Sequence, residues 1–247
     1  IVVGALFDDD GGTNTGSAYI FDLEGNQIAK ITASDGAGND FFGGQVAVGS
    51  GRIVVGAFGD DDNGSSSGSA YIFDLNGAQI AKITASDGAA GDLFGRAVAV
   101  GSGRIVVGAP QDAAPSSLSG SAYIFDLEGN QIAKITASDG AGNEYFGQAV
   151  AVGCGRIVVG AYDDDDIGYN NSGSVFIFDL DGNEIAKLTA SDRASVDNFG
   201  DRVAIGSGRI VVGAYNDDDG GSASGSAYIY ETPNVITPYD VRDWEYG

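Results

Sequence analysis

The chain sets 35 Asp and Glu against 12 Lys and Arg over 247 residues, a formal charge of −23, and holds 41 Gly but no His or Met. A chain this acidic repels nucleic acid and anionic membranes, and it favours cations, basic partners and high solubility. Without His it lacks the usual base near neutral pH, and the lone Cys154 can form no disulfide within the chain. The glycines recur periodically and do not pool in a low-complexity block, which marks turns in a folded repeat.

Ile1 opens the first copy of an Ile-Val-Val-Gly-Ala motif, which returns at Ile53, Ile105, Ile157 and Ile210, intervals of 52 or 53 residues. A Ser-Ala-Tyr-Ile-Phe-Asp-Leu block follows from Ser17, Ser69 and Ser121, with variants from Ser174 and Ser226. Periods of about 50 residues belong to propellers, solenoids or arrays. The first copy lacks the Gly-Arg that precedes the others, so the chain reads as a processed product or a section of a longer polypeptide. No leader or membrane-spanning run is visible in it.

In the unit 94–139, Phe94-Gly95 leads into strand A over 97–100. A tight turn at 101–103 follows, then strand B over 104–109, whose continuous Ile-Val-Val run predicts burial on both faces. A long polar loop reaches strand C over 121–127, with Tyr123 and Phe125 on one face and Ile124 on the other. Glu128-Gly129-Asn130 makes a hairpin turn into strand D over 131–137. Strand D carries Lys30, Lys82, Lys134 or Lys187, a charge expected to blunt a free sheet edge. Cys154, aligned with Ser50, Ser102 and Ser207, is expected to be a turn substitution and not a nucleophile. The predicted fold is all-β: a β-propeller of four-stranded antiparallel blades, five in number, over residues 1–230.

Two further elements recur in register. Phe42-Gly43, Phe94-Gly95, Phe146-Gly147 and Phe199-Gly200 precede the A strands. Gly108-Ala109-Pro110 follows a B strand, with Gly56-Ala57-Phe58, Gly160-Ala161-Tyr162 and Gly213-Ala214-Tyr215 in the same place elsewhere. Together with linkers such as Ile83-Thr84-Ala85-Ser86-Asp87-Gly88, these resemble the FG-GAP repeat known from the propeller of integrin alpha subunits, and in particular its short bacterial and phage-type version. The resemblance runs from residue 1 to about 230. It implies a propeller and a role in adhesion or surface display, virion appendages and decoration included. Integrin repeats place an Asp-rich calcium loop between strands A and B. Here that loop is only 101–104, so the family's calcium site is not carried over.

In an up-and-down blade the B–C loops and D–A linkers share one face, and the A–B and C–D turns share the other. The B–C loops hold Asp8, Asp9 and Asp10; Asp60, Asp61 and Asp62; Asp112; Asp163, Asp164, Asp165 and Asp166; and Asp217, Asp218 and Asp219. The linkers add Asp35, Asp40, Asp87, Asp92, Asp139, Glu144, Asp192 and Asp197, whereas Arg52, Arg104, Arg156 and Arg209 fall on the opposite face. Oxygen-rich loops predict weak Ca²⁺ binding, strongest at Asp60 to Asp62 and Asp163 to Asp166, with no cofactor required. The plainer reading is of solvated loops whose Asp and Gly residues make turns. The third loop, nearly stripped of acids, argues against an obligatory metal there. The linker Asp residues of the Ser-Asp-Gly type are expected to form Asx turns, and Tyr71, Phe73, Tyr123, Phe125 and the Phe of each Phe-Gly to fill the core between blades.

Residues 231–247 leave the repeat and contain the single Trp. Tyr239, Arg242, Trp244 and Tyr246 are of the kind that anchor interfaces, so this tail is expected to dock a partner or to close the last blade, where Pro233 and Pro238 suit an edge. The acids recur symmetrically and form no singular pair, which speaks against an enzyme. The expected role is a non-enzymatic binding or adhesion module on an extracellular, cell or virion surface. Its partner is a protein or carbohydrate there or in an assembly, with no nucleic acid and no membrane insertion. The alternative is a purely structural subunit of a larger assembly, such as a virion appendage or decoration protein.

Overall fold

A computed structural model describes residues 1–113, 116–140, 142–165 and 168–232. These form five antiparallel sheets in which strand order follows the chain. The first sheet holds β1 (Val2–Ala5), β2 (Ser17–Phe21) and β3 (Gln27–Ile31). The second holds β4 (Gln45–Gly49), β5 (Arg52–Ala57), β6 (Ser69–Phe73) and β7 (Gln79–Ile83). The third holds β8 (Ala97–Gly101), β9 (Arg104–Ala109), β10 (Ser121–Phe125) and β11 (Gln131–Ile135). The fourth holds β12 (Ala149–Gly153), β13 (Arg156–Ala161), β14 (Ser174–Phe178) and β15 (Glu184–Leu188), and the fifth β16 (Phe199–Gly206), β17 (Arg209–Ala214) and β18 (Ser226–Glu231). The predicted all-β fold of propeller-like blades is therefore what forms, with three strands in the first and last sheets and no helix among the described residues.

The A–B turns are two-residue connections that need two positive φ angles, as at Ser50 (48°) and Gly51 (74°). Cys154 occupies the same position, exposed, at φ 50°.

Successive sheets pack face to face. The back of the second sheet (Val54, Ala70, Ile72, Ile83) meets the front of the third (Ile105, Val107, Tyr123, Phe125) in one buried cluster, and the other three joints repeat that set. Each buried Val, Ile or Phe contributes about 1.5–3 kcal/mol. The Phe of each Phe-Gly is fully buried in a joint; Phe94 stands edge-on to Tyr123 and Phe125, with centroids 5.4 and 6.0 Å away. Gln45, Ala97, Ala149 and Arg202, one each from β4, β8, β12 and β16, line a single cavity of about 140 Å³. The first strands of four sheets thus converge on one axis, as blades do.

Two glycines set how closely sheets approach. A Cβ on Gly56 would lie 2.0 Å from the carbonyl oxygen of Gly95, in the linker that enters the next sheet, and one on Gly108 would lie 1.9 Å from that of Gly147. The Phe-Gly glycine also needs a left-handed backbone, with φ +89° at Gly95. Gly213, in the last sheet, has nothing nearer than Arg202 Cβ at 3.7 Å. Gly56→Ala should therefore cost more than about 3 kcal/mol, whereas Gly213→Ala should stay within about 1 kcal/mol. Denaturant melts of the two variants check this, and equal loss in both would refute the joint as the cause.

Candidate functional site

The long B–C loops are pinned to the linker that leads into the next sheet. Gly91, Leu93 and Phe94 donate backbone hydrogen bonds to Ser65, Ser66 and Ser67, and the linkers before the second and fourth sheets do likewise. Loops and linkers therefore share one face. On the other face Arg52 Nε donates to Leu127 O and Arg104 Nε to Leu180 O, each 3.1 Å away in the next sheet's C–D turn. The predicted two-sided placement of charge follows directly.

Within the loops the acids of a run do different work. In the first four loops the acid three residues after the Ala of Gly-Ala (Asp8, Asp60, Asp112 or Asp164, the last preceded by Asp163) lies beneath a lysine. Asp60 Oδ2 accepts from Tyr71 OH at 3.1 Å and from Lys82 Nζ at 2.9 Å. Asp112 does the same with Tyr123 at 2.8 Å and Lys134 at 2.7 Å. Asp8 takes Tyr19 and Lys30, and Asp164 takes Lys187 where Phe176 replaces the tyrosine. Asp112 is the single acid left in the third loop because it holds this buried place. The acid that follows it caps its own loop: Asp61 Oδ1 accepts from Ser66 N and Asp165 Oδ1 from Asn171 N. The one after that, Asp10 or Asp62, returns to the lysine.

The linker carboxylates complete the set, and two expectations change here. Asp35 accepts from Tyr71 OH at 2.8 Å and Lys82 Nζ at 2.7 Å, and Asp87 from Tyr123 OH at 2.8 Å and Lys134 Nζ at 2.7 Å. These residues tie the linker to the following sheet. A local capping role belongs instead to Asp40 and Asp92, which accept from the backbone N–H of Ala37 and Ala89 at 2.6 and 2.7 Å. The strand D lysines are not edge guards. Their ammonium groups turn inward over the ring of Tyr71 or Tyr123 and into the acids, because one cation shared among carboxylates is more stable there than a free edge charge.

Asp35, Asp60 and Asp62 place carboxylate oxygens within 4.8 Å of one another, the spacing of a cation site. Lys82 Nζ already stands among them, at 2.7, 2.9 and 2.5 Å. In the fifth repeat Asp217 and Asp192 accept from Tyr228 OH at 2.6 and 2.8 Å, and no lysine follows Lys187 in the chain. Asp163 is half-buried, accepting from Asn198 Nδ2 at 2.8 Å, and Asp218 is exposed. Asp166 and the tail residues Tyr239, Arg242, Trp244 and Tyr246 lie outside the described residues.

The electrostatics follow from these contacts. Burial alone would raise the Asp35 and Asp87 carboxyls, but hydrogen bonds from lysine and tyrosine outweigh it and hold both below the ordinary value of 3.8. Asp40, Asp92 and Asp197 have no lysine bonded to them, and burial raises all three. Burial would lower Lys82, yet its bonds to Asp35, Asp62 and Asp60 raise it.

Lys82→Met removes the shared cation and leaves three carboxylates facing each other. A loss of about 2 kcal/mol is expected, below the figure for a fully buried pair because Asp35 and Asp62 are half in solvent. Millimolar Ca²⁺ should restore part of it in thermal melts while barely moving the parent protein. A variant that ignores calcium and chelator alike would show that these carboxylates form no cation site.

The pH dependence has two signs. Raised carboxyls such as Asp40 bind more protons folded than unfolded, so their strain is relieved as pH falls toward their folded values. Lowered carboxyls such as Asp35 do the reverse, and their stabilisation is lost below 3.8. Thermal stability should therefore rise as pH falls from neutral toward the range of the raised carboxyls, and be lost again once pH drops below 3.8. A Tm that falls steadily from pH 7 would contradict it.

Sequence reasoning missed the aromatic pairs on the loop face. Phe41 and Phe58 stack with centroids 5.1 Å apart, Phe7 meets Phe41 edge-on at 6.1 Å, and the Arg96 guanidinium lies 5.2 Å over Phe58. Tyr145 and Tyr162 stack at 5.5 Å. The partners are the residue before each Phe-Gly and the residue after each Gly-Ala. These positions are aromatic together at 41 and 58 and at 145 and 162, a pairing visible in the sequence.

A family model described as FG-GAP repeat matches residues 26–73, 78–125, 130–178 and 183–230. Each match opens before the last strand of one sheet and ends with the third strand of the next. No curated protein matches the chain significantly.

Proposed function

Because the chain belongs to the FG-GAP repeat family, we propose that this β-propeller-like repeat module works as a non-enzymatic binding or adhesion unit on an extracellular, cell or virion surface. Its ligand is a protein or carbohydrate met on the loop face. The observation that carries this reading is the Phe7–Phe41–Phe58 cluster with Arg96, set among acidic loops on a scaffold that is otherwise repetitive. Aromatic faces and Arg supply contact area at low entropic cost, and surrounding carboxylates accept hydrogen bonds from hydroxyl or cationic groups. Repetition also supports a role without catalysis, since the buried loop acids Asp60, Asp112, Asp164 and Asp217 are each bonded to a lysine, a tyrosine or both, and Asp40, Asp92 and Asp197 to backbone N–H groups. No cofactor is needed. Ca²⁺ binds weakly, because ammonium groups hold the cation position in the first four loops.

The test is a binding screen of the protein against immobilised glycans and surface proteins. Phe58→Ala and Tyr162→Ala should each weaken any captured ligand about tenfold, a loss of about 1.4 kcal/mol, with melting curves unchanged in shape. Undiminished binding by both variants would move the site off this face.

A further inference from the structure

The two aromatic pairs of the loop face share a register but are finished differently. Phe58 is covered by Phe41 at 5.1 Å and by the Arg96 guanidinium at 5.2 Å, and Phe7 meets the edge of Phe41. A Cβ on the neighbouring Gly44 would come within 2.8 Å of the Phe58 ring. Tyr162, by contrast, stacks on Tyr145 at 5.5 Å, and both rings are half-buried. The residue two after Phe94 is Arg96, but the residue two after Phe199 is Asp201. The residue before the buried loop acid, Phe7 in the first repeat, is Gln111 in the third. Polar groups thus surround the tyrosine pair where Phe and Arg close the phenylalanine pair.

The geometry of that polar set is specific. Asp163 and Asp201 act on the Tyr162 hydroxyl, which burial first and Asp163 next push up to about 12, so it stays protonated and can donate. Asp201 Oδ1 accepts from Arg202 Nη1 at 3.3 Å. Gln148 N donates to Tyr145 O at 3.1 Å. Arg202 and Gln148, at the linker ends of their strands, face one cavity of about 140 Å³ walled by alanine and valine. These residues belong to the two joints of the fourth sheet, which has sheets of this chain packed on both sides.

We propose that this corner of the loop face binds a neutral carbohydrate, with the C–H face of one pyranose ring laid on Tyr162 and its hydroxyls shared among Asp201, Arg202 and Gln148. A pyranose has an apolar face that packs on an aromatic ring, and a rim of hydroxyls that each donate and accept. The corner offers the ring, an acceptor in Asp201, and donors in Arg202, Gln148 and the Tyr162 hydroxyl. Asp201 and Arg202 offset each other, so the pair itself calls for no cation. The acids around it and the charge of −23 repel sulfated or uronic sugars. A protein suited to the rest of this face would be basic, and its binding would fade with salt. The proposal rests on the loop face being a binding surface and narrows its ligand to one class.

Calorimetric titration of the 247-residue chain tests it, with neutral hexasaccharides of glucose, mannose, galactose, xylose and N-acetylglucosamine, and with a heparin hexasaccharide. At least one neutral sugar should bind with a Kd of about 1 mM or tighter, unchanged between low and molar salt, while heparin stays unbound. Tyr162→Ala should weaken that sugar more than about tenfold and Asp201→Asn about threefold. If Tyr162→Ala melts early, Tyr162→Leu serves, because Leu6 holds the same place in the first repeat. Failure of every neutral sugar to bind would overturn the proposal, as would a bound sugar indifferent to Tyr162→Leu or tighter binding by heparin. If no sugar binds but an immobilised surface protein is captured in a Phe58-dependent way, the carbohydrate assignment fails and the loop-face reading stands. If neither is captured, both fail.

Discussion

Each sheet meets the next through a contact between two glycine backbones, and the rest of the molecule is arranged around that approach. With Gly56 against the Gly95 carbonyl, the strands come near enough for Phe94 to sit fully buried between Val54 and Tyr123. Any side chain at either position would hold the sheets apart, and close packing would be lost on both sides of the gap. The same approach brings the linker over the loop of the preceding sheet, where backbone hydrogen bonds lock the two together. The conserved geometry of four joints is thus one steric requirement repeated, and the Phe-Gly and Gly-Ala elements are its two halves.

Charge is managed by the same repetition. An acidic protein that folded its loops onto one face without compensation would concentrate repulsion there. Placing one lysine from the fourth strand beneath the loop converts that repulsion into attraction, with Asp35, Asp60 and Asp62 sharing Lys82. Because Asp35 comes from the linker and Lys82 from the following sheet, the ion pair also spans the joint. Packing, linker path and electrostatics therefore reinforce one another at each junction. A sheet removed from its neighbours loses all three together, so the junctions between sheets carry the stability of the repeat as much as the sheets do.

The sheets, their order and their core were legible in the sequence because each depends on a local signal that recurs. The Ile-Val-Val run marks a strand covered on both faces, and the Gly after Ser50 or Ser102 marks a turn. The roles of Lys82 and Asp35 were not legible. Both residues looked like ordinary surface charge, and their partnership links positions 47 apart across two sheets. Nothing in a one-dimensional pattern says that an ammonium group will turn inward. Asp112 offered the missed clue: an acid that persists where its neighbours are lost is held by something other than solvent. The stacking of Phe41 on Phe58 was missed although both aromatics stand in the sequence, since it is a relation between two motifs and belongs to neither alone.

Where every repeat must satisfy the same joint, the freedom to specialise is confined to positions the joint does not use. The residue after Gly-Ala is one of these: Phe58, Pro110 and Tyr162 differ while Gly56, Gly108 and Gly160, two residues before them, cannot. The residue before Phe-Gly is another, as Phe41, Leu93, Tyr145 and Asn198. Both lie on the loop face, so variation accumulates on the side that carries the acids, and the turn face with its arginines stays uniform. Repetition of a joint thus leaves the loop face free to diverge and holds the core between sheets to one pattern.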